Sequence, residues 1–577
     1  MQKVERLSEV KALLIFVFGI LFSNVFGQKI LPENLGPKVK LYWDANNKRI
    51  HSVGCYYVDP INPQTTEKHG KWLFYAFDGT LEAERFYYRN RMHGKQTVYF
   101  PSKKIKQVYY SEFNVPDSSF KEYDEQGTLI IEGQYLLGSP EGVWHYFYPD
   151  STLWKEERVS NDTTYLIKYV GAAPNHQLMV QNGDGQVDTY YSLGGLKESY
   201  TFKQGLRHGF FYEFLASGQP SITGCFEFGK KNGAWKFYFP DGTLEKEENY
   251  LKDSLDGRYM VYFENGNLQT EGSYNYGQKE GLWTWNKRDG GLEMKGNFIN
   301  NLQDGAWEYY YSSGELSYTA NFTKGLKSGK WNYYYKDGTQ FKEGEYRLDK
   351  KEGPWQTWYE DGTLLMEGKY HEGLEIGEWK NYWPNGRIKN KSFYKSGLLN
   401  GAWYSFSPEG KLQLFGRYKK GNKTGKWTDF YNNGRKKEEV SYKVLNIKNK
   451  TQDVVSLGFK EKQSVKQGKY TAYSQVDFTA KELGKYKKGK KHGKWINYYP
   501  GGVVPAVITN YKNGLLNGTF NQYDRRGNKM NEIQYKNGLK DGWFIVYGTN
   551  GKPISQKMFR KGHELSRKAP NAPFSPE

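Results

Sequence analysis

The stretch Gly484-Lys-Tyr-Lys-Lys-Gly489-Lys490 has the spacing of a loop in which glycine N–H groups and a lysine cradle a nucleotide's phosphates. Lys491 stands where such a loop needs a Ser or Thr hydroxyl for Mg²⁺, and a hairpin turn replaces the required strand-to-helix junction, so no nucleotide is expected. Histidines raise the question of a metal, yet His69, His93, His208 and His492 all precede a recurring glycine, in a slot held elsewhere by Asn232, Asp256, Glu280, Asp304, Ser328 and Asn400. A slot tolerant of so many small polar residues serves a turn through local hydrogen bonds. Carboxylate pairs such as Glu247/Glu248 and Glu438/Glu439 have counterparts elsewhere in the chain, whereas a catalytic group needs a unique microenvironment. Cys55 and Cys225 are too few and too far apart for a disulfide framework or a thiolate metal site. We therefore expect no catalytic residue, no cofactor and no metal, and a protein that is not an enzyme.

The elements that position these residues follow from composition. Aromatic residues make up 17% of the 577-residue chain against 37% for all hydrophobic residues, and there are 65 glycines. Such a mix suits many short strands and tight turns, with flat amphipathic rings covering a sheet face in place of a thick aliphatic core. The formal net charge of +20 favours anionic surfaces without choosing among them. At the N-terminus Lys3, Arg6 and Lys11 precede an apolar run from Ala12 to Phe22 and the small-residue end Val25-Phe26-Gly27, the pattern of a cleaved signal peptide. The mature chain is expected to begin near Gln28 and to be exported to the periplasm, the cell surface or the exterior.

The dominant signal is a repeat. Gly233-Ala-Trp235, Gly281-Leu-Trp283, Gly305-Ala-Trp307, Gly329-Lys-Trp331, Gly353-Pro-Trp355, Gly377-Glu-Trp379, Gly401-Ala-Trp403 and Gly425-Lys-Trp427 fall on a 24-residue ruler, with Gly257 filling the one gap. The ruler extends to Gly209 and Gly185, then across a 43-residue interval to Gly142, a degenerate Ser118, Gly94 and Gly70. In the other direction a second 43-residue interval leads to Gly468, Gly493 (with Trp495), Gly518 and Gly542, for 19 anchors in all. Self-similarity sustained this far marks a repeat architecture. Within a unit, Lys330-Trp331-Asn332-Tyr333-Tyr334-Tyr335 is strand-like, Lys336-Asp337-Gly338 is a tight turn, and a second strand ends in a Gly-x-x-x-Gly segment such as Gly325/Gly329, read as the reversal into the next hairpin. One repeat is one hairpin, with the repeated tryptophans as its core. We expect an all-β fold, a repetitive antiparallel β-hairpin ladder in which each unit leans on its neighbours.

The pattern Gly-x-Trp-x-x-Tyr-x-x-(Asp/Asn)-Gly followed by an aliphatic residue, as in Gly233-Ala-Trp235-Lys-Phe-Tyr238-Phe-Pro-Asp241-Gly242-Thr-Leu244, resembles the MORN-repeat variant of bacterial proteins, many of which are called YwqK-family antitoxins. The resemblance covers about Gly70 to Asn550 and implies a hairpin ladder and, for the broader group, scaffolding or lipid-surface binding. A signal peptide departs from it, since a cytoplasmic antitoxin needs none. The expected organisation is a leader over 1–27, a cap and degenerate first hairpin over 28–69, and repeats over 70–184 with an irregular interval at 143–184. Repeats follow over 185–467, ending in an irregular interval at 426–467, then over 468–559, before a disordered tail at 560–577. Each interval is either a degenerate hairpin or a functional loop.

The two kinds of turn differ in charge. Hairpin tips read Asp241-Gly242, Asp337-Gly338 or Asn385-Gly386, whereas the turns between hairpins lean basic, most densely at Lys487, Lys488, Lys490 and Lys491. A row of loop lysines keeps a ladder soluble and its edges apart, or docks it on an anionic surface by many weak contacts. The function expected is a binding or scaffold surface for a protein partner or an anionic envelope polymer. The alternatives are a ladder for glycans or anionic lipid, which makes a membrane surface a candidate partner, and an antitoxin-like inhibitor of a protein toxin. Nucleic acid is not expected.

Overall fold

The computed structural model describes residues 35–448 and 460–565, apart from Pro60, Pro63, Thr65 and Pro174. The leader at 1–27 and the last residues of the tail, 566–577, lie outside the described residues. Among the described residues there is no helix, and strands of mostly eight or nine residues follow one another along the chain. The chain divides into two compact units, one running to Leu268 with Tyr274–Gly277 added, the other comprising Gln269–Ser273 and Gln278 onward. Within each unit consecutive strands pair antiparallel, as Gly233–Tyr238 pairs with Leu244–Leu251 in the first and Lys350–Trp358 with Leu364–His371 in the second. The expected hairpin ladder is what forms.

Two different turns alternate. At the tip, Gly338 donates its N–H to Tyr335 O at 3.0 Å, only Gly338 of the turn has a positive φ, and Asp337 Oδ1 accepts the N–H and hydroxyl of Thr339. Between hairpins, two consecutive residues are left-handed, Lys324 (φ 50°) with Gly325 (φ 80°), or Leu348 (φ 50°) with Asp349 (φ 65°), as a two-residue type I′ turn requires. The Gly-x-x-x-Gly segment is therefore not one turn, as its sequence suggests. Its first glycine closes the turn, while the second sits inside the next strand as a bulge, Gly353 at φ 65° within Lys350–Trp358. The degenerate anchor Ser118 adopts the same conformation at φ 66°.

The two long intervals resolve differently. The first holds an extra hairpin with one stunted strand, Thr163–Val170 followed by Leu178–Gln181. Among the described residues the second holds no extra hairpin: Lys436–Lys448 and Lys460–Tyr473 are 13 and 14 residues long and stay paired from Tyr442↔Lys466 out to Lys448↔Lys460, an arm beyond the neighbouring turns. At the C-terminus, His563–Leu565 pairs with Pro553–Arg560, so the start of the expected tail is a strand.

Candidate interaction surfaces

The side chains of one sheet face are packed, and in the repeats that carry it the tryptophan is the centre of that packing, with residues such as Val187, Phe211 and Tyr470 at the same position elsewhere. Trp235, Trp283, Trp307, Trp331, Trp355, Trp379, Trp427 and Trp495 are only 1% to 5% exposed, while Trp403 is half-buried. Each ring lies over a small residue of the preceding strand: a Cβ on Gly344 would fall 2.1 Å from Trp355 Cδ2, and one on Gly296 2.0 Å from Trp307 Cδ2. Ala320, buried in one cluster with Trp307 and Trp331, is the small residue on the strand before Trp331, and Ser392 is the residue paired with Trp403. In most of these repeats the indole Nε1–H donates to the backbone, to Asn321 O from Trp331 and to Glu345 O from Trp355, both at 3.2 Å, whereas the Nε1–H groups of Trp379 and Trp427 are buried without a partner. Neighbouring rings continue the contact, from Tyr318 stacked on Tyr309 at 4.2 Å to Trp331 against Tyr346 at 5.1 Å and Tyr346 against Trp355 at 5.3 Å.

In six of these repeats a lysine four residues before the tryptophan closes the ring from above, whereas Gln303, Glu375 and Leu399 hold that position before Trp307, Trp379 and Trp403. The ammonium groups of Lys231, Lys279, Lys327, Lys351, Lys423 and Lys491 stand 4.2, 4.2, 4.8, 4.6, 4.2 and 3.9 Å from the indole centroids. Burial pulls the Lys279 and Lys423 ammonium groups below the usual lysine range. The quadrupole of the indole face offsets part of that desolvation. Neither the lysine cap nor the small residue beneath the ring was singled out from sequence, although the run Glu343-Gly344-Glu-Tyr346, repeated as Glu367-Gly368-Lys-Tyr370, carries the second signal.

The opposite face is polar and cross-strand paired. Lys295 meets Glu308 at 2.8 Å, Lys391 meets Glu378 at 2.8 Å, and Lys426 meets Glu439 at 2.6 Å. The hydrogen bond from Lys295 holds the Glu308 carboxyl below the usual range, with Tyr310 adding a second bond. The slot before the anchor glycine also acquires a partner that sequence does not show. Its side chain bonds to the next turn, twenty residues on: Asp304 Oδ1 accepts the Lys324 N–H at 3.0 Å and Glu280 Oε2 the Asn300 N–H at 3.0 Å. His69 occupies this slot deeply buried, with its Nδ1 3.4 Å from the Arg89 N–H and its imidazole pKa lowered first by burial.

The rim of inter-hairpin turns is the surface left open. In the second unit Leu302, Leu326, Leu374, Leu398, Leu515 and Leu539, each directly after a turn, are 40% to 52% exposed. Lys324, Lys350, Lys420, Lys487, Lys488 and Lys490 are exposed among them. The four lysines expected to form one basic cluster separate. Lys487, Lys488 and Lys490 face solvent, whereas Lys491 turns inward over Trp495 and bonds Glu482 Oε1 at 2.8 Å.

The family model described as the MORN repeat variant matches residues 231–252, 255–276, 303–324, 351–372, 375–396 and 423–443. Each match starts next to the first strand of a hairpin and ends at or near the following turn, as Lys350–Trp358 and Leu364–His371 do for residues 351–372. No curated protein matches the chain. Among solved structures, two described as "Crystal Structure of TcdB2-TccC3-Cdc42" and "Crystal Structure of TcdB2-TccC3 without hypervariable C-terminal region" align at 11% identity with a TM-score of 0.13. The aligned part covers 91% of this chain and 31% and 30% of those chains, respectively.

Proposed function

We propose that this chain, a protein built of MORN repeats of the variant class, is an exported, non-catalytic binding or scaffold surface that engages a partner protein or an extended envelope polymer. The observation that carries this reading is the rim of the second unit, where half-exposed leucines follow six of the inter-hairpin turns and solvent-facing lysines stand at others. A row of that kind offers many weak, identical contacts to an elongated partner, and avidity grows with the number engaged. An anionic lipid surface or acidic glycan is the second reading, favoured by the exposed Lys487, Lys488 and Lys490. Sugar stacking on the repeated tryptophans loses its basis, because their rings are covered. The antitoxin-like alternative rests on the family resemblance alone.

The test is retention of envelope protein and polymer by the immobilised mature chain, compared with a variant carrying Leu374→Ser, Leu398→Ser and Lys420→Gln. Material held by the wild type and lost by the variant supports the rim as the binding surface. Equal retention by both, with folding intact, refutes it.

A further inference from the structure

In the first unit one strand of the ladder is too short for its neighbours. Leu178–Gln181 is four residues long and pairs with the strand before it only at Tyr169↔Val180 and Val170↔Leu178. It pairs with the strand after it only at Val180↔Gly185 and Gln181↔Asp184. Residues 186–190 therefore hydrogen-bond to a neighbour on one side only, toward Leu196–Lys203, and their other edge opens into a recess of about 800 Å³. That volume lies in the range of small-molecule sites.

The lining differs from that of a second recess. A smaller recess in the second unit, bounded by Gln356, Glu367, Glu378 and Lys380, is filled with charge pairs: Lys380 bonds Glu367 at 3.0 Å and Glu378 at 3.3 Å. In the large recess, no Lys or Arg lines the wall among the described residues, and hydroxyl, amide and ring groups take their place. Tyr148 is held in position by its hydroxyl, which donates to Val170 O at 2.9 Å, and by its ring against His176 at 5.6 Å. Tyr190 projects freely at 64% exposure. Asp188 is fixed by Gln186 Nε2 at 2.9 Å, and the opposing Ser199 supplies no countercharge.

We propose that this recess is a saccharide-binding site for an uncharged sugar. Flat phenol rings match the apolar face of a pyranose, and a fixed carboxylate flanked by amide side chains accepts and donates to vicinal hydroxyls. The unpaired edge of residues 186–190 adds backbone donors and acceptors at the same height. A single carboxylate without a cation repels anionic sugars, so the preference is for neutral ones. The site stands apart from the turn rim and does not depend on the rim's role.

The experiment applies the full mature chain to an array of neutral and acidic glycans and measures affinity for the strongest neutral oligosaccharide by calorimetry. The expected result is neutral-glycan binding that changes little with salt, falls at least tenfold with Tyr190→Ala and with Asp188→Asn, and survives Lys487→Gln/Lys488→Gln/Lys490→Gln. Tyr190 is exposed, so its variant should melt with the wild type and the loss then reads as contact loss. Absence of any glycan binding, binding restricted to acidic glycans, binding instead of quaternary ammonium compounds or extended peptides, or binding indifferent to both recess variants would overturn the proposal.

Discussion

At the scale of single residues, the repeated tryptophan and the small residue beneath it act as one unit. Truncating a buried large ring removes transfer energy and leaves a cavity, so Trp331→Ala should cost about 3–5 kcal/mol. Hydrogen exchange should rise in the hairpins on both sides, because Trp331 contacts Tyr318 and Phe322 of the preceding hairpin and Tyr346 of its own, which in turn packs on Trp355 of the next. The converse change tests the other half. Gly344→Val places side-chain atoms where the Trp355 ring lies, and overpacking of this kind typically costs about 1–3 kcal/mol. Chemical denaturation of both variants measures the two effects, and a neutral Gly344→Val would mean that the ring slides aside at little cost. The tryptophan was legible in sequence because its type and spacing repeat. The glycine was not, because its reason for being small is a ring eleven residues away across a strand pair.

At the scale of the hairpin, turn conformation and lysine placement make separate predictions. Leu348 is 62% exposed and left-handed, a conformation that costs a branched side chain roughly 1 kcal/mol and that asparagine tolerates better. Leu348→Asn should therefore raise the melting temperature slightly. Among the rim lysines, Lys491→Gln should lower stability, since it removes a cation from the Trp495 face and an ion pair with Glu482, while Lys487→Gln, Lys488→Gln and Lys490→Gln should leave melting unchanged. Four equal melting curves would show that Lys491 is solvated like its neighbours. Sequence placed these four lysines in one cluster because they are contiguous in charge. Strand alternation separates them, sending every second side chain to the packed face.

At the scale of the molecule, acid is the condition that probes the tips collectively. Gly501 and Thr479 N–H groups hold the Asp477 carboxyl down to about 2 from an ordinary 3.8, and Asp241, Asp337 and Asp361 are also lowered by hydrogen bonds from the Thr two residues on. A carboxylate that binds its proton less well when folded stabilises the fold above its ordinary pKa and loses that contribution as pH falls through the lowered value. Melting temperature should accordingly drop between pH 4 and pH 2, and the gap between wild type and Asp477→Asn should narrow across the same window. A gap independent of pH would remove the tip carboxylate from the account.

The sequence by itself determined the fold class, the hairpin as the unit and the tryptophans as its core, since each is a local property repeated every 24 residues: ring type, strand alternation and turn glycines. The tertiary structure alone decided what lies across the strands. It split Gly-x-x-x-Gly into a turn and a bulge, because φ at each glycine depends on pairing with the previous hairpin. It joined the slot before the anchor to the turn twenty residues later, a bond that no local pattern contains. It also made one 43-residue interval an extra hairpin with a stunted strand and the other an elongated arm. Equal lengths of inserted chain gave different structures because strand pairing with the neighbouring hairpins, and not segment length, fixes where each residue sits.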